Sequence, residues 1–498
     1  MDNLNNNEMV KYYLPKTHNK TTQKFESDYI MPDYEAEIMR ILKFKAEPYI
    51  SNKTITNNKL TLDISVVATV IYQSYDMNVY SAKTESSFVK NIDIPDNISI
   101  DNTKIKLSSE SVNCKATGKR RVEFTGNIII DFHLLTEENL IINIPEDDSL
   151  ECKYHEINFK VLDRITEKRI NIKEEIEENF SDVNIMETIC EAKITDYRVV
   201  SDKIVVKGDA ICHCICINDE LKIQTKKFVV PFGQIIDAEG ISSETNPNIE
   251  AIIQYINVDS GKEEQKPIVE LSLIISCECF KELKTKILTD VYSIKHKLSL
   301  NQKTNTIPSW SENETKRFVH EINLGKTNEE ITNINHLSVK VNCFTNKNNN
   351  KIKSLIECFI MGSDSSKTAI GNEKVYEFED IFDSDFDNKN CDINAKVIDC
   401  NYNFIINDRE EIVVSVDYEI EICSVFFNEF SIIESVDLLE EFKQQKGKTA
   451  IIIYYASKGE SIFNIAKKYN TKVKSILEEN SIETDVLTSS KHLIIPIF

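Results

Sequence analysis

The 498-residue sequence has few residues that break regular structure, with only 10 prolines and 11 glycines, so long flexible linkers are not expected. No window contains the ~18 consecutive apolar residues of a membrane helix, which argues against an integral membrane protein. The N-terminal residues lack a basic segment followed by an apolar run, and we expect no secretory signal. The eight histidines are widely scattered, so no catalytic acid or base can be nominated.

Basic residues are also in deficit, with 59 against 81 acidic ones and a net charge of −22 at pH 7. Such a surface repels nucleic acid and anionic membranes, and we expect neither as a partner. The thirteen cysteines are odd in number and irregularly spread, which is typical of a reducing cytosol rather than of a disulfide scaffold.

What the sequence does contain is an internal repeat. Period-two alternation over 59–72 (KLTLDISVVATVIY) recurs over 203–216 (KIVVKGDAICHCIC). After each copy, two further matching segments follow in the same order. A weaker third copy of the repeat spans 336–427. Alternation rich in Val, Ile, Tyr and Phe predicts long antiparallel strands with one wet face. The matching segments are 87–94 with 231–238, and 112–132 with 256–280.

These patterns predict a mainly β protein, in which tandem antiparallel β-rich repeats precede a small α+β (βααβ) unit. One helix is predicted within 30–48, where Asp33 stands at the N-cap and Ile38, Ile41 and Leu42 form an apolar face. The predicted divisions are 1–155, 156–300 and a degenerate 301–439 for the repeats, 440–450 for a linker, and 451–498 for the last unit.

The stretch ICHCICIND, residues 211–219, raises the question of a metal or redox site. On a strand, Cys212, Cys214 and Cys216 share one face at a spacing of ~6.6–7 Å. Two thiolates on one zinc ion lie only ~3.8 Å apart, and no C-x-x-C motif occurs in the chain. The first repeat has Ala68, Val70 and Tyr72 at these places, so we predict that the cysteines fill a core. An enzyme or metal protein centred on them is the competing hypothesis; no catalytic residue, metal ligand or cofactor is nominated.

The last unit reads strand, helix, helix, strand, with Ser461 and Thr471 as N-cap candidates. It resembles a LysM domain, from which it departs in having Glu460-Ser461 for Asp-Thr and Ser490 for Gly. The matching motifs are Gly459-Glu460-Ser461, Phe463, Ile465-Ala466, Tyr469, Leu477-Glu478-Glu479-Asn480 and Leu493-Ile494-Ile495-Pro496.

The repeats resemble the SPOCS domain of spore-forming bacteria, through Pro32-Asp33 before Ala36-Glu37-Ile38, Val70-Ile71-Tyr72 and Pro231-Phe232. SPOCS repeats followed by a terminal LysM are the layout of the SipL-type spore coat morphogenetic family. The resemblance implies a non-enzymatic adaptor in the mother-cell cytoplasm, at the forespore surface. Its LysM would bind a coat-assembly ATPase of the stage IV sporulation protein A type.

The alternative is a LysM that binds N-acetylglucosamine-containing peptidoglycan of the cortex or wall. The expected absence of a signal peptide favours the adaptor, because wall glycan lies across a membrane. Either way, the resemblance places the binding face on two neighbouring loops, where Ile462, Val486 and Leu487 are expected to be exposed unless they pack the small core. The predicted face is Gly459, Glu460, Ser461, Ile462, Asp485, Val486, Leu487 and Thr488.

Overall fold

The protein folds almost entirely into antiparallel β-sheets, which confirms the predicted fold class. A computed structural model describes residues 5–95, 98, 103–145, 147–180, 182–218, 220, 222–243, 245–261, 266–311, 313–326, 333–345, 351–364, 368–381, 391–442 and 451–496.

The first repeat unit contains two three-stranded sheets. Strands β2, β3 and β4 form a meander, and the long strand β6 pairs with β5 on one side and returns to β1 on the other. Buried residues of both sheets share one core, so the unit is a two-layered β-structure. The strands are β1 (Asn5–Ile30), β2 (Ile38–Thr56), β3 (Lys59–Ser74), β4 (Val79–Asp93), β5 (Thr103–Gly118) and β6 (Arg121–Pro145).

The second repeat unit has the same order, with a β8-β9-β10 meander and a β7-β12-β11 sheet. The hairpin turns that open the two meanders also match. Asn58 and Asp202 both have left-handed backbones, and their carbonyls accept hydrogen bonds from the equivalent Ile94 and Ala238 amides. The strands are β7 (Leu150–Glu175), β8 (Asn184–Val200), β9 (Lys203–Ile217), β10 (Ile223–Asp237), β11 (Asn246–Asp259) and β12 (Ile268–Ser293).

The third repeat unit keeps the plan but divides its leading strand, because β13 and β14 both pair with β19. The sheet β15-β16-β17 is its meander, and β18 pairs with β19. The strands are β13 (His296–Trp310), β14 (Glu314–Lys326), β15 (Asn333–Thr345), β16 (Lys351–Ser363), β17 (Ala369–Ile381), β18 (Cys391–Ile406) and β19 (Glu411–Glu441).

The predicted borders at 155/156 and 300/301 fall inside β7 and β13. Pairing between β7 and β12 already begins at Leu150 opposite Ser293, so the strand starts before the border. The predicted linker 440–450 likewise begins inside β19, and residues 443–450 lie outside the described residues. The domain division itself stays a prediction.

The helix predicted within 30–48 is wrong, because residues 33–35 form a turn and Ile38–Thr56 is strand β2. The Arg120 guanidinium donates to the carbonyls of Pro32 and Glu35 and holds this turn against the β5–β6 hairpin. Buried residues recur every four positions along β2, which imitates a helical face. The recurrence arises because β2 is irregular where it pairs with β3, with register shifts between 38 and 40, 41 and 43, and 50 and 52. The buried residues are Ile38, Leu42, Ala46 and Ile50.

The three repeat units meet in a shared apolar cluster, which we call the central junction. It joins Leu42 of the first unit, Met186 and Ile215 of the second, and Phe359 and Met361 of the third. Backbones approach closely here. A Cβ at Gly371 on β17 would lie 2.4 Å from the carbonyl oxygen of Leu42, so only glycine fits without a shift.

A buried charge cluster lies at the edge of the central junction. The Glu187 carboxylate of β8 contacts the ammonium groups of Lys43, at 2.9 Å, and Lys45, at 3.0 Å, on β2. Burial alone would raise the pKa of Glu187, but the two ammonium groups outweigh it and lower that pKa to about 2. Lys43 also lies 4.7 Å from the ring centre of Phe359, so one cluster ties all three units together.

The predicted cysteine cluster lies on β9, in the core of the second unit. Cys212, Cys214 and Cys216 are fully buried there, as predicted, among apolar residues of both sheets. Among the described residues, no group of three or more His, Cys, Asp or Glu side chains is arranged to hold a metal ion.

The C-terminal unit is a βααβ fold with one two-stranded antiparallel sheet. Its helices pack on one face of this sheet through buried residues that include Ile465, Ala466, Ile476, Leu493 and Ile495. Its elements are β20 (Ile451–Ala456), α1 (Ile462–Tyr469), α2 (Val473–Glu479) and β21 (Lys491–Pro496).

Candidate functional site

The two loops of the predicted binding face lie side by side in the C-terminal unit. The Gly459 amide donates to the Leu487 carbonyl at 2.8 Å, and the Leu487 amide donates to the Glu460 carbonyl at 3.0 Å. The Ile462 amide donates to the Asp485 carbonyl at 2.7 Å. These bonds close the two loops into one surface and use much of their backbone hydrogen-bonding capacity.

Asp485 holds the start of helix α1. Its carboxylate accepts a hydrogen bond from the Phe463 amide and another from the Ser461 hydroxyl, both at 2.9 Å. Ser461 occupies the N-cap position, but its side chain makes no bond to the helix backbone. The cap that the sequence predicts from Ser461 therefore comes from Asp485 on the opposite loop.

Thr471 does not cap α2 as predicted, because the N-cap position is Lys472 and makes no side-chain bond to the helix. The Thr471 hydroxyl instead donates to the Pro496 carbonyl at 2.6 Å, which ties the loop between the helices to the last strand. Sequence proximity to a helix start could not distinguish these two uses of a hydroxyl.

Glu460 is also engaged within its loop. Its carboxylate accepts hydrogen bonds from the Ser457 amide at 2.6 Å and the Tyr454 hydroxyl at 2.9 Å. These bonds, the Ser457 amide first, lower the pKa of Glu460. Glu460 and Asp485 therefore shape the face more than they offer free acceptors to a ligand.

Of the three apolar residues expected to be exposed on this face, only Val486 is. Ile462 and Leu487 are buried in the small core, whereas Val486 is 52% exposed. Thr488 and Gly459 are also exposed. The predicted exposure is therefore wrong for Ile462 and Leu487, and the alternative that they pack the small core holds for both.

A second apolar surface on this unit escaped the sequence analysis. Ile451, Ile453 and Tyr455 point away from the helices along β20 and are 55%, 72% and 59% exposed. Ile494 on β21 adjoins them, paired in register with Ile453. We call these four residues the outer sheet face. The run IIIYY hides its alternation, because the inward and outward positions are both apolar.

The C-terminal unit is docked on the second repeat unit, near the start of β7 and the end of β12. The Tyr292 ring packs edge-on against Phe463 with centroids 5.2 Å apart, and its hydroxyl donates to the Thr471 carbonyl at 2.7 Å. Lys467 pairs with Asp290 at 2.6 Å on the rim of this contact. Tyr292 is part of the same buried cluster as the core of the small unit.

Comparison with known families identifies these units. The family described as SipL, SPOCS domain, matches residues 37–117 and 183–260, and the LysM domain family matches residues 454–496. The chain therefore contains two segments of the SPOCS type and a C-terminal segment of the LysM type. The two SPOCS matches span β2 to β5 and β8 to β11, so they follow the internal repeat. No curated protein and no solved structure matches the chain significantly.

The combination of SipL-type SPOCS domains with a LysM domain fits a sporulation protein associated with the spore coat. Both are binding rather than catalytic types of domain, and LysM domains are associated with peptidoglycan. Among the described residues, no helix is both long and apolar enough to cross a membrane.

Proposed function

We propose that this protein is a non-enzymatic coat adaptor, which acts in the mother-cell cytoplasm and helps to encase the forespore. Its SPOCS units form a rigid body, and its LysM domain docks onto a coat-assembly ATPase of the stage IV sporulation protein A type. We further propose that β13–β19 form a third SPOCS repeat, which their shared strand order supports.

The outer sheet face is the observation that favours a protein partner. Four apolar side chains lie together on one sheet face whose other side is already covered by the helices. Exposed apolar clusters of this kind mark contacts with proteins more often than contacts with polar glycans. The neighbouring acidic loop side chains, Glu460 and Asp485, are occupied internally and add little to glycan recognition.

The test is retention of the full-length chain on the immobilised ATPase and, separately, on purified peptidoglycan. Ile453→Lys places a charge in the proposed contact and should weaken ATPase binding by more than ~10-fold, as for a central interface residue. Val375→Lys is the matched control, since Val375 is 59% exposed on β17, in the third unit. Equal binding by both variants would contradict the proposed surface, and no retention of the natural chain would contradict the partner.

The peptidoglycan alternative rests on the adjacent loops. If it holds, the natural chain is retained on peptidoglycan, and Val486→Lys or Thr488→Lys reduces that retention without lowering the melting temperature. These two positions are preferable to Glu460 and Asp485, whose replacement would disturb the loops themselves.

A further inference from the structure

Cys190, a residue outside the cysteine-rich stretch, lies against Cys212. It is on β8, directly opposite Cys212 on β9 in the antiparallel register. The two sulfur atoms are 2.7 Å apart, and both cysteines are free thiols. The two cysteines are 22 residues apart in the chain, and no local motif links them.

The geometry of the strand pair suits a covalent link. Directly opposed residues of antiparallel strands have Cα atoms ~4.5 or ~5.5 Å apart, and both values fall in the range that a disulfide spans. Cysteines two positions apart on one strand, such as Cys212 and Cys214, are ~6.6–7 Å apart with a stiff backbone between them. Cys212 therefore has its bridging partner across the sheet and not along its own strand.

The pair also differs from the buried cysteines around it in solvent exposure and in the pKa values of its thiols. Cys190 is half-buried on an edge strand, whereas Cys212 is fully buried. The two sulfur atoms share a hydrogen bond in which either can be the donor. This bond lowers the pKa of Cys212, and together with burial it raises the pKa of Cys190. By contrast, burial raises the pKa of Cys216 and of Cys277 to about 12.

We propose that Cys190 and Cys212 form a modification site, which a small-molecule disulfide converts to an intramolecular disulfide. The Cys190 thiol, which is the more accessible of the two, loses its proton as its sulfur attacks one sulfur of the oxidant. The attack forms a mixed disulfide and releases one small thiol. The Cys212 sulfur then attacks Cys190 and releases the second small thiol. The two cysteines lose two protons and two electrons, and the oxidant is reduced to two thiols.

The link would act on the strand that joins two repeat units. Among the described strands, β8 pairs with β9 alone, and it carries Glu187, which contacts Lys43 and Lys45 of the first unit. A bond between Cys190 and Cys212 fixes β8 in register and prevents this edge from opening. Oxidation should therefore slow amide hydrogen exchange along β8, and dithiothreitol should reverse the effect.

The experiment treats the reduced full-length chain with oxidised glutathione, blocks remaining thiols with iodoacetamide, and maps tryptic peptides by mass spectrometry. Trypsin separates the two cysteines, because Lys193, Arg198, Lys203 and Lys207 lie between them. We expect the titratable thiols to fall by two from thirteen, with one linked peptide pair that contains Cys190 and Cys212.

Cys190→Ala and Cys212→Ala should each abolish the linked pair, and the second variant is expected to fold because the first repeat has Ala68 at that place. Cys114→Ser is the matched control, since Cys114 is half-buried in the first unit, and it should leave the link intact. Three results would each overturn the proposal. These are a Cys190 thiol that still reacts with iodoacetamide after oxidation, a link from Cys190 to a cysteine other than Cys212, and a disulfide between two chains.

Discussion

The central junction and the contact between the LysM domain and the second repeat unit, which we call the LysM junction, are stabilised by different kinds of interaction. The central junction is shared by three repeat units and includes a buried carboxylate between two ammonium groups. The contacts of the LysM junction include the Tyr292–Phe463 aromatic pair, the hydrogen bond from Tyr292 to Thr471, the Lys467–Asp290 ion pair, and Lys153 at 5.8 Å from the Phe463 ring centre. The first is part of the folding core, whereas the second resembles a docking contact between modules.

This difference has a consequence for how each junction fails. Removing one charged side chain from a buried cluster is strongly destabilising, because it leaves the remaining charges uncompensated. An aromatic contact loses stability in proportion to the buried surface removed. We therefore expect damage at the central junction to unfold the repeats, and damage at the LysM junction to release the small domain.

The largest effect is expected for Glu187→Gln. It removes the buried carboxylate that Lys43 and Lys45 share and leaves Lys45 only the exposed Glu47, at 2.8 Å, as a partner. This should cost about 3–5 kcal/mol in the free energy of unfolding. Urea denaturation followed by circular dichroism measures this loss. Glu270→Gln is the control, since its partner Lys173 is 67% exposed, and it should cost far less than Glu187→Gln. Similar losses for both variants would contradict the buried-cluster account.

Acid should weaken the central junction. The folded pKa of Glu187 is lowered to about 2, so its contribution is fully present above the unfolded pKa of ~4.3 and is lost as the pH falls towards about 2. The difference between the folded and unfolded pKa values corresponds to about 3 kcal/mol in the free energy of unfolding. The free energy of unfolding, measured between pH ~4.3 and about 2, should fall with pH in the natural chain. It should fall less steeply in Glu187→Gln.

Tyr292→Ala should detach the LysM domain without unfolding the repeats. It removes a buried ring that packs on Phe463 and a hydrogen bond to Thr471, for a loss of about 3 kcal/mol. Limited proteolysis should then release the domain faster. Tyr292→Phe keeps the ring and should cost only about 1 kcal/mol. Release at the natural rate from Tyr292→Ala would show that another contact holds the domain.

The smallest effect is expected for Lys467→Ala at the rim of the LysM junction. Its side chain is 43% exposed and its pair with Asp290 is screened by water, so the loss should be about 0–1 kcal/mol. The same proteolysis assay measures it, and high salt should remove what difference there is. A loss equal to that of Tyr292→Ala would mean that charge, and not aromatic packing, holds the domain.

Several local predictions failed for one reason. The apolar spacing in β2 imitates a helix because register irregularities let Leu42 face the central junction while Ile38 and Ala46 face the first core. Spacing alone cannot show that one strand serves two cores. Likewise, Ser461 carries the sequence signal of a cap, but Asp485 makes the bond from a loop that only folding brings near.

The amino-acid sequence alone predicts many of the strands, though not β2, together with their tandem repetition and the βααβ unit, because alternation and local motifs are encoded over a few adjacent residues. It also placed Cys212, Cys214 and Cys216 in a core, since the equivalent residues of the first repeat are apolar. Three contacts become visible only in the folded chain: Cys190 lies against Cys212, Glu187 joins two repeat units, and Tyr292 packs against the LysM domain. Each of those contacts joins residues far apart in the chain, and their pairing depends on how whole sheets pack, which no local pattern records.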